Sequence, residues 1–117
     1  MPRNMSFMLT TRQMYAREKT HTIRNGWWNL KPGEIINAVE KCQGLKKGEK
    51  IVRICQIRVV STRTSRLMFV TPELCVKEGF PELTPDDFED MFIRHNRAVN
   101  FYTPLNFIEF EYVYENK

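Results

Sequence analysis

The sequence predicts an α+β fold: a small, mainly antiparallel β-barrel of five or six strands, with about three short α-helices inserted. Residues 51–60 are a long run rich in Ile and Val, with apolar side chains of both parities, as in a strand that is covered on both faces. Thr71 and Thr84 each precede a proline and an acidic residue, which is the pattern of a helix start. Strands and helices in this mixture favour an α+β domain.

The first predicted elements are short. We expect a loose start over residues 1–5 and a strand over residues 6–9, which are mostly apolar. Thr10 or Thr11 can then cap a helix that runs to about Glu18.

Turns and strands follow this helix. The dipeptide Asn25-Gly26 is a turn signal, and so are residues 31–34, where proline precedes glycine as in a type II turn. Residues 35–41 are predicted to form a strand, and residues 51–60 the next one.

Two helices are predicted in the second half of the chain. The first runs from Thr71 to Glu78 and is stopped by Gly79. The second begins at Thr84 and reaches about His95, with its apolar residues at helical spacing.

The remaining predicted strands are residues 67–70 and residues 107–114. In the latter strand, Glu109 and Glu111 share one face and apolar or aromatic residues share the other. A barrel closed by the N-terminal and C-terminal strands would leave no exposed edge.

Composition sets limits on the class of protein. A chain of 117 residues, with 42% hydrophobic and 27% charged residues, is expected to be one globular domain over residues 1–117. It contains no apolar run of about 18 residues and does not begin like a signal peptide, so we expect a cytoplasmic protein that does not enter a membrane. The three cysteines, Cys42, Cys55 and Cys75, lack the paired spacing of a metal site, so we expect no metal ion. We also expect no cofactor and a monomer.

Charge is distributed unevenly along the chain. Residues 1–66 carry 14 Lys and Arg against 4 Asp and Glu, a balance of +10, whereas residues 67–117 carry 4 against 10, a balance of −6. The basic half favours RNA or a nucleotide as partner. An ordinary solvated surface that happens to be asymmetric is an equally good interpretation.

Residues 17–28 combine reactive polar groups with two tryptophans. On a straight strand, Lys19 and Thr22 would point to opposite faces, so any chemistry that they share requires a bend between them. Arg24 can hold a carbonyl or a phosphate. Trp27 or Trp28 can stack on a base, although a core position is at least as good an interpretation of each.

The order of these segments resembles an ASCH domain, a member of the PUA-like superfamily of small β-barrels. The resemblance is carried by Lys19-Thr20-His21-Thr22-Ile23-Arg24, by the turn at residues 31–34, and by the helix start at Thr71 that leads to Glu78-Gly79-Phe80. The family's usual motif has a glycine where Arg17 stands and a glutamate where Thr22 stands. The threonine variant is similar to a subgroup that includes a bacterial N4-acetylcytidine amidohydrolase.

This resemblance implies a catalytic lysine, threonine and glutamate, which match Lys19, Thr22 and Glu78. Thr22 would be the nucleophile for the acyl amide of an acylated nucleoside, and Lys19 would be either its base or an electrostatic clamp. Arg24, Trp27 and Trp28 would bind the substrate. The alternatives are a non-catalytic RNA-binding module, a domain that binds a modified base without converting it, and a purely structural ion pair between Lys19 and Glu78.

Overall fold

The computed structural model describes residues 2–114. It contains five strands, three α-helices and two 3-10 turns. The strands are β1 (Arg3–Ser6), β2 (His21–Arg24), β3 (Ile35–Val39), β4 (Arg53–Ser65) and β5 (Leu105–Tyr112). The helices are α1 (Thr11–Tyr15), α2 (Pro72–Lys77) and α3 (Pro85–His95), and the 3-10 turns are Met8–Thr10 and Leu67–Phe69. The predicted α+β fold with three helices is confirmed.

The five strands form one curled sheet, a half-barrel with the order β1-β3-β4-β5-β2. β1 pairs with β3 in parallel, and the other neighbours are antiparallel. The predicted closure of the barrel by its N-terminal and C-terminal strands is wrong, because β5 has β4 and β2 as its neighbours and β1 pairs with β3. β1 and β2 are the two edges instead.

Several predicted boundaries near the N-terminus are also wrong. Residues 3–5 belong to β1 and not to a loose start; Met1 lies outside the described residues. The strand predicted over residues 6–9 ends at Ser6, and a 3-10 turn follows. α1 ends at Tyr15, short of Glu18, because Arg17 takes a left-handed backbone with φ +59° that an α-helix does not contain.

Both helix starts predicted from Thr-Pro sequences are confirmed. The Thr71 hydroxyl accepts a hydrogen bond from the Leu74 amide at 3.2 Å, and the Thr84 hydroxyl accepts one from the Asp87 amide at 3.1 Å. Residues 67–70, by contrast, do not form the predicted strand, because a 3-10 turn over Leu67–Phe69 carries the chain away from β4.

β4 begins at Arg53 and runs beyond the predicted end to Ser65. The prediction that residues 51–60 are covered on both faces is wrong, because Ile57 and Val59 are buried in one core whereas Ile51, Val52 and Val60 are exposed. A register shift between Val59 and Ser61 interrupts the pairing of β4 with β5. On β5, Ile108 and Phe110 pack in the half-barrel core, whereas Leu105 and Phe107 pack against the helices. The sheet therefore separates two cores, and β2 lies at its edge between them, next to α2 and α3.

No helix of residues 2–114 has the length and apolar character that crossing a bilayer requires. Within the same residues, no three His, Cys, Asp or Glu side chains are grouped as metal ligands would be.

Candidate functional site

A cleft of about 450 Å³ lies beside β2, within the range of about 300–1,000 Å³ that is usual for small-molecule sites. Its polar lining comes mainly from β2 and the segments next to it, and also from the end of α3: Ser6, Thr10, Lys19, Thr22, Arg24, Asn25, Gln43, Glu78, His95 and Asn96. Its apolar lining comes mainly from the first 3-10 turn and α3: Met8, Leu9, Phe80, Phe88, Met91 and Phe92. The cleft thus offers both charged groups and apolar surface to one ligand.

Glu78 enters the cleft from the end of α2. Its amide still donates to the Leu74 carbonyl at 2.8 Å, as the last turn of the helix requires. Gly79 then leaves the helix with φ +95°, a conformation that suits glycine. A Cβ at this position would come within 2.9 Å of the Gln13 Cγ, so α1 and the end of α2 are in direct contact here. This packing fixes where the Glu78 carboxylate points.

Two ionisable side chains, those of Lys19 and His21, lie next to that carboxylate, and we call Lys19, His21 and Glu78 the Glu78 cluster. Lys19 Nζ donates to the Glu78 carbonyl oxygen at 2.9 Å and lies 3.5 Å from Glu78 Oε1. His21 Nδ1 lies 2.6 Å from Glu78 Oε2. All three residues are 5% exposed or less. Every interaction within this cluster is therefore largely shielded from water.

The Lys19 ammonium has an unusual environment for a lysine. Burial lowers its pKa below the usual range; the Glu78 carboxylate acts in the opposite direction, and the charge of Arg24 adds to the lowering. The net effect is a lowered pKa, which makes Lys19 a better candidate for a proton acceptor than an exposed lysine.

The second group around β2 is the Arg24 cluster, made of Arg24, Thr22, Ser6 and Phe7. Arg24 Nε donates to Thr22 Oγ1 at 3.0 Å, and Arg24 Nη2 donates to the Ser6 carbonyl at 2.7 Å. The guanidinium lies over the Phe7 ring, 4.7 Å from its centroid. Because Ser6 ends β1, this side chain links the two edge strands of the half-barrel. Enclosure by protein lowers the pKa of Arg24 to about 10, so it remains charged at neutral pH.

The two tryptophans lie in different places. Trp27 lines the cleft, is half-buried and has the Arg3 guanidinium 4.8 Å from its ring centroid. Trp28 is 55% exposed and does not line the cleft. The structure therefore brings Trp27 to the other predicted site residues and leaves Trp28 apart from them.

The sequence matches no family model, and no curated protein matches it either. Solved structures do match. An ASCH domain from Lactobacillus crispatus JV V101 has a TM-score of 0.65 at 16% identity, over 97% of this chain and 80% of that one. The fold is that of an ASCH domain. The hypothetical protein PH0355 (TM-score 0.66, 16% identity) matches 97% of this chain and all of its own. Protein EF3133 from Enterococcus faecalis V583 (TM-score 0.65, 14% identity) matches 100% of this chain and 84% of its own.

At 14–16% identity these likenesses show the fold alone, and one fold hosts many functions. Within this ASCH fold, the structure places Lys19, Thr22, Arg24, Trp27 and Glu78 at one cleft. Lys19 and Thr22 both line it, which a straight strand over residues 19–22 would not allow, and β2 begins only at His21. Among residues 2–114, however, the Thr22 hydroxyl bonds with Arg24 and not with Lys19 or Glu78.

Arg17 stands where the resemblance to ASCH domains implies a glycine, and its backbone angle shows why glycine would suit this position. The backbone of Arg17 has φ +59°, a conformation that costs a residue with a side chain roughly 1–2 kcal/mol and glycine almost nothing. The Arg17 guanidinium lies 5.0 Å from the Tyr112 ring centroid and 4.6 Å from the Tyr114 ring centroid. These cation–π contacts offset part of that cost.

Sequence reasoning missed His21 as a member of the site. The signal was present, since His21 and Lys19 share a parity in the sequence and would point the same way on an extended chain. Their common partner, Glu78, is more than fifty residues away along the chain, so no local pattern identifies the contact. The apolar lining from α3 was missed for the same reason.

Proposed function

We propose that the protein is a small amidohydrolase that removes the acyl group from N4-acetylcytidine or a related acylated nucleoside, with Thr22 as the nucleophile. The observation that carries the proposal is that Lys19, Thr22, Arg24 and Glu78 all line a single cleft of nucleoside size. Such a concentration of buried polar side chains is costly to maintain for stability alone.

The nucleophile in this proposal is already polarised. Arg24 Nε donates to Thr22 Oγ1, so a positive charge lies next to the oxygen that must lose a proton. Thr22 Oγ1 attacks the acyl carbon, its proton passes to Lys19, and the C–N bond then breaks as Lys19 returns that proton to the exocyclic amine. Water hydrolyses the acyl-threonine ester, which releases the carboxylic acid and restores Thr22. The balance is one amide and one water in, one amine and one acid out.

Arg24 also supplies charge for the oxyanion that forms on the acyl carbonyl. A guanidinium has five N–H donors, and the Arg24 cluster uses one on Thr22 and one on Ser6. Because its pKa is about 10, Arg24 keeps its charge throughout the reaction. A fixed cation in a buried site is the kind of group that stabilises an oxyanion strongly.

The RNA-binding alternative rests on the basic half of the chain, and the structure gives several of those side chains other partners. Arg58 pairs with Glu111 at 3.0 Å, and Arg66 donates to the Tyr102 carbonyl at 2.9 Å. Lys19 and Arg24 are enclosed at the cleft. These contacts favour a small ligand in the cleft over a polyanion along the surface.

The test is to incubate the protein with N4-acetylcytidine and longer N4-acyl analogues and to measure the released cytidine by chromatography. We expect Thr22→Ala to lower kcat by about 10⁴-fold or more, as removal of other nucleophiles does, and Thr22→Ser to retain part of the activity. If wild type and Thr22→Ala are equally inert across all acyl groups, the enzyme is not an amidohydrolase of these substrates. RNA retention that falls steeply with salt would then favour the RNA-binding alternative.

A further inference from the structure

His21 is buried in the Glu78 cluster but does not line the cleft. Its ring packs edge-on against Phe107, with 5.7 Å between the ring centroids, and its Nδ1 lies 2.6 Å from Glu78 Oε2. This is the shortest contact of the Glu78 carboxylate; the Lys19 ammonium lies 3.5 Å from the other oxygen. His21 therefore contacts the carboxylate without lining the cleft.

The arrangement bears on a conflict in the proposed chemistry. Lys19 accepts a proton from Thr22 only if its amine is neutral, and a carboxylate in close contact favours the charged ammonium. A short hydrogen bond from His21 Nδ1–H draws negative charge toward Oε2 and leaves Lys19 its stronger bond to the Glu78 backbone carbonyl, at 2.9 Å. A backbone carbonyl holds the amine in place but stabilises its charged form less than a carboxylate does.

We propose that His21 is a positioning residue that holds the Glu78 carboxylate away from Lys19 and so leaves the Lys19 amine free to act as the base for Thr22. The role assigned to the amine rests on the proposed function, whereas the contact that His21 makes with Glu78 does not. Without the His21 donor, the carboxylate turns to Lys19 and forms a closer ion pair with it.

Other charged or titratable groups approach this cluster from each element packed around it. Arg24 lies further along β2, and Cys75 lies on α2 next to Glu78. Glu109 on β5 is the strand partner of His21, and Arg63 on β4 covers Phe107 from the same side of the sheet. All four remain unchanged in the variants below, so differences among those variants report the His21 contact.

Two substitutions separate the donor from the bulk of the ring. His21→Asn keeps an N–H donor near the position of Nδ1, whereas His21→Leu fills space without a donor. We expect His21→Leu to shift the acid limb of the kcat/KM profile upward by about one pH unit, which is a tenfold loss at a pH below that limb. We expect His21→Asn to remain close to wild type. A uniform loss at every pH in both variants, with no shift, would overturn the proposal, since it would indicate a purely structural role.

A measurement without substrate separates this proposal from the proposed function. In protein labelled with ¹⁵N-lysine, the Nζ signal of Lys19, assigned by its loss in Lys19→Met, gives the protonation midpoint of the amine directly. We expect the midpoint in His21→Leu to lie about one pH unit above that of wild type, even if the protein hydrolyses no acylated nucleoside. An unchanged midpoint would overturn the proposal, and an inert wild type with a shifted midpoint would overturn only the enzyme.

A third readout covers the case in which His21→Leu does not fold. The ¹⁵N imidazole signals of the wild type should show His21 with its proton on Nδ1 and should change in Glu78→Gln. His95 on α3 gives the comparison signal, because its Nδ1 lies 2.8 Å from the Met91 carbonyl oxygen. A His21 signal that does not respond to Glu78→Gln would overturn the contact itself.

Discussion

The Glu78 cluster holds a buried cation and the Arg24 cluster a partly buried one, and the two differ in what surrounds the charge. Lys19 lies beside a carboxylate and a backbone carbonyl. Arg24 lies on a hydroxyl, a backbone carbonyl and an aromatic ring, none of them ionised. The first cluster contains a lysine whose pKa burial lowers, whereas the second contains a single permanent charge. Lys19, just before β2, is thus the group that can lose its proton, and Arg24 on β2 is the group that does not.

This difference assigns separate roles to the two cations. Burial lowers the pKa of both, but a guanidinium whose pKa falls to about 10 is still charged at neutral pH. A lysine has a lower ordinary pKa than an arginine, so burial can make it neutral. We therefore assign proton transfer to Lys19 and the permanent charge to Arg24. Substitutions that remove either property should lower activity.

Among changes that test this division between the two cations, the largest effect is expected for Arg24→Lys, which keeps the charge and removes the planar fork. Lysine cannot reach Thr22 and the Ser6 carbonyl with one rigid group, so both the polarised hydroxyl and the link between edge strands are lost. We expect kcat to fall by about 10²–10³-fold. Arg58→Lys, at an exposed ion pair with Glu111, is the matched control and should keep wild-type kcat. Equal activity of the two variants would mean that charge alone is needed.

Gly79→Ala tests how firmly Glu78 is placed. Residue 79 has φ +95°, and its new Cβ would lie 2.9 Å from Gln13 Cγ, so we expect a loss of about 2–3 kcal/mol of unfolding free energy. Gly33→Ala has a similar φ of +90° with nothing within 4 Å, and should lose about 1 kcal/mol. Urea unfolding measures both. Equal losses would show that Gln13 moves aside and does not hold Glu78 in place.

Much of the fold could be predicted because its signals are local. The caps at Thr71 and Thr84 depend on a few consecutive residues, and the long apolar run of β4 needs no distant partner to be recognised. The start of β1 could not be predicted, since Arg3–Ser6 is a strand only because β3 lies beside it. The open edge of the half-barrel could not be predicted either, because strand order depends on pairings between distant parts of the chain.

The candidate site divides in the same way. Lys19, Thr22 and Arg24 were found because they lie within one short motif. Glu78 was added by resemblance to a family and not by pattern. His21 and the left-handed Arg17 were missed in their roles, since the first depends on a contact with Glu78 and the second on a backbone angle.

The stability of Lys19→Met as a function of pH tests whether Lys19 is the cation that can lose its proton. The folded-state pKa of Lys19 lies below its ordinary value of 10.5, so between those two values the unfolded chain binds more protons. Unfolding free energy must then rise with pH in that window, by at most about 1.4 kcal/mol per pH unit. Lys19→Met should lack this rise, and because the charges of Lys19 and Arg24 act on each other, the difference between the two proteins reports Lys19 together with that coupling. Parallel stability curves would contradict the assignment.

The smallest effect is expected for Arg17→Gly, which restores the glycine of the usual motif just before Lys19. Glycine removes a backbone cost of roughly 1–2 kcal/mol at φ +59° and also removes the contacts with Tyr112 and Tyr114, each worth about 0.5–1 kcal/mol. These changes have opposite signs, so the unfolding free energy should stay within about 1 kcal/mol of wild type. Arg17→Ala loses the contacts and keeps the strain, so it should be less stable than either. If alanine and glycine were equal, the backbone at residue 17 would carry no strain.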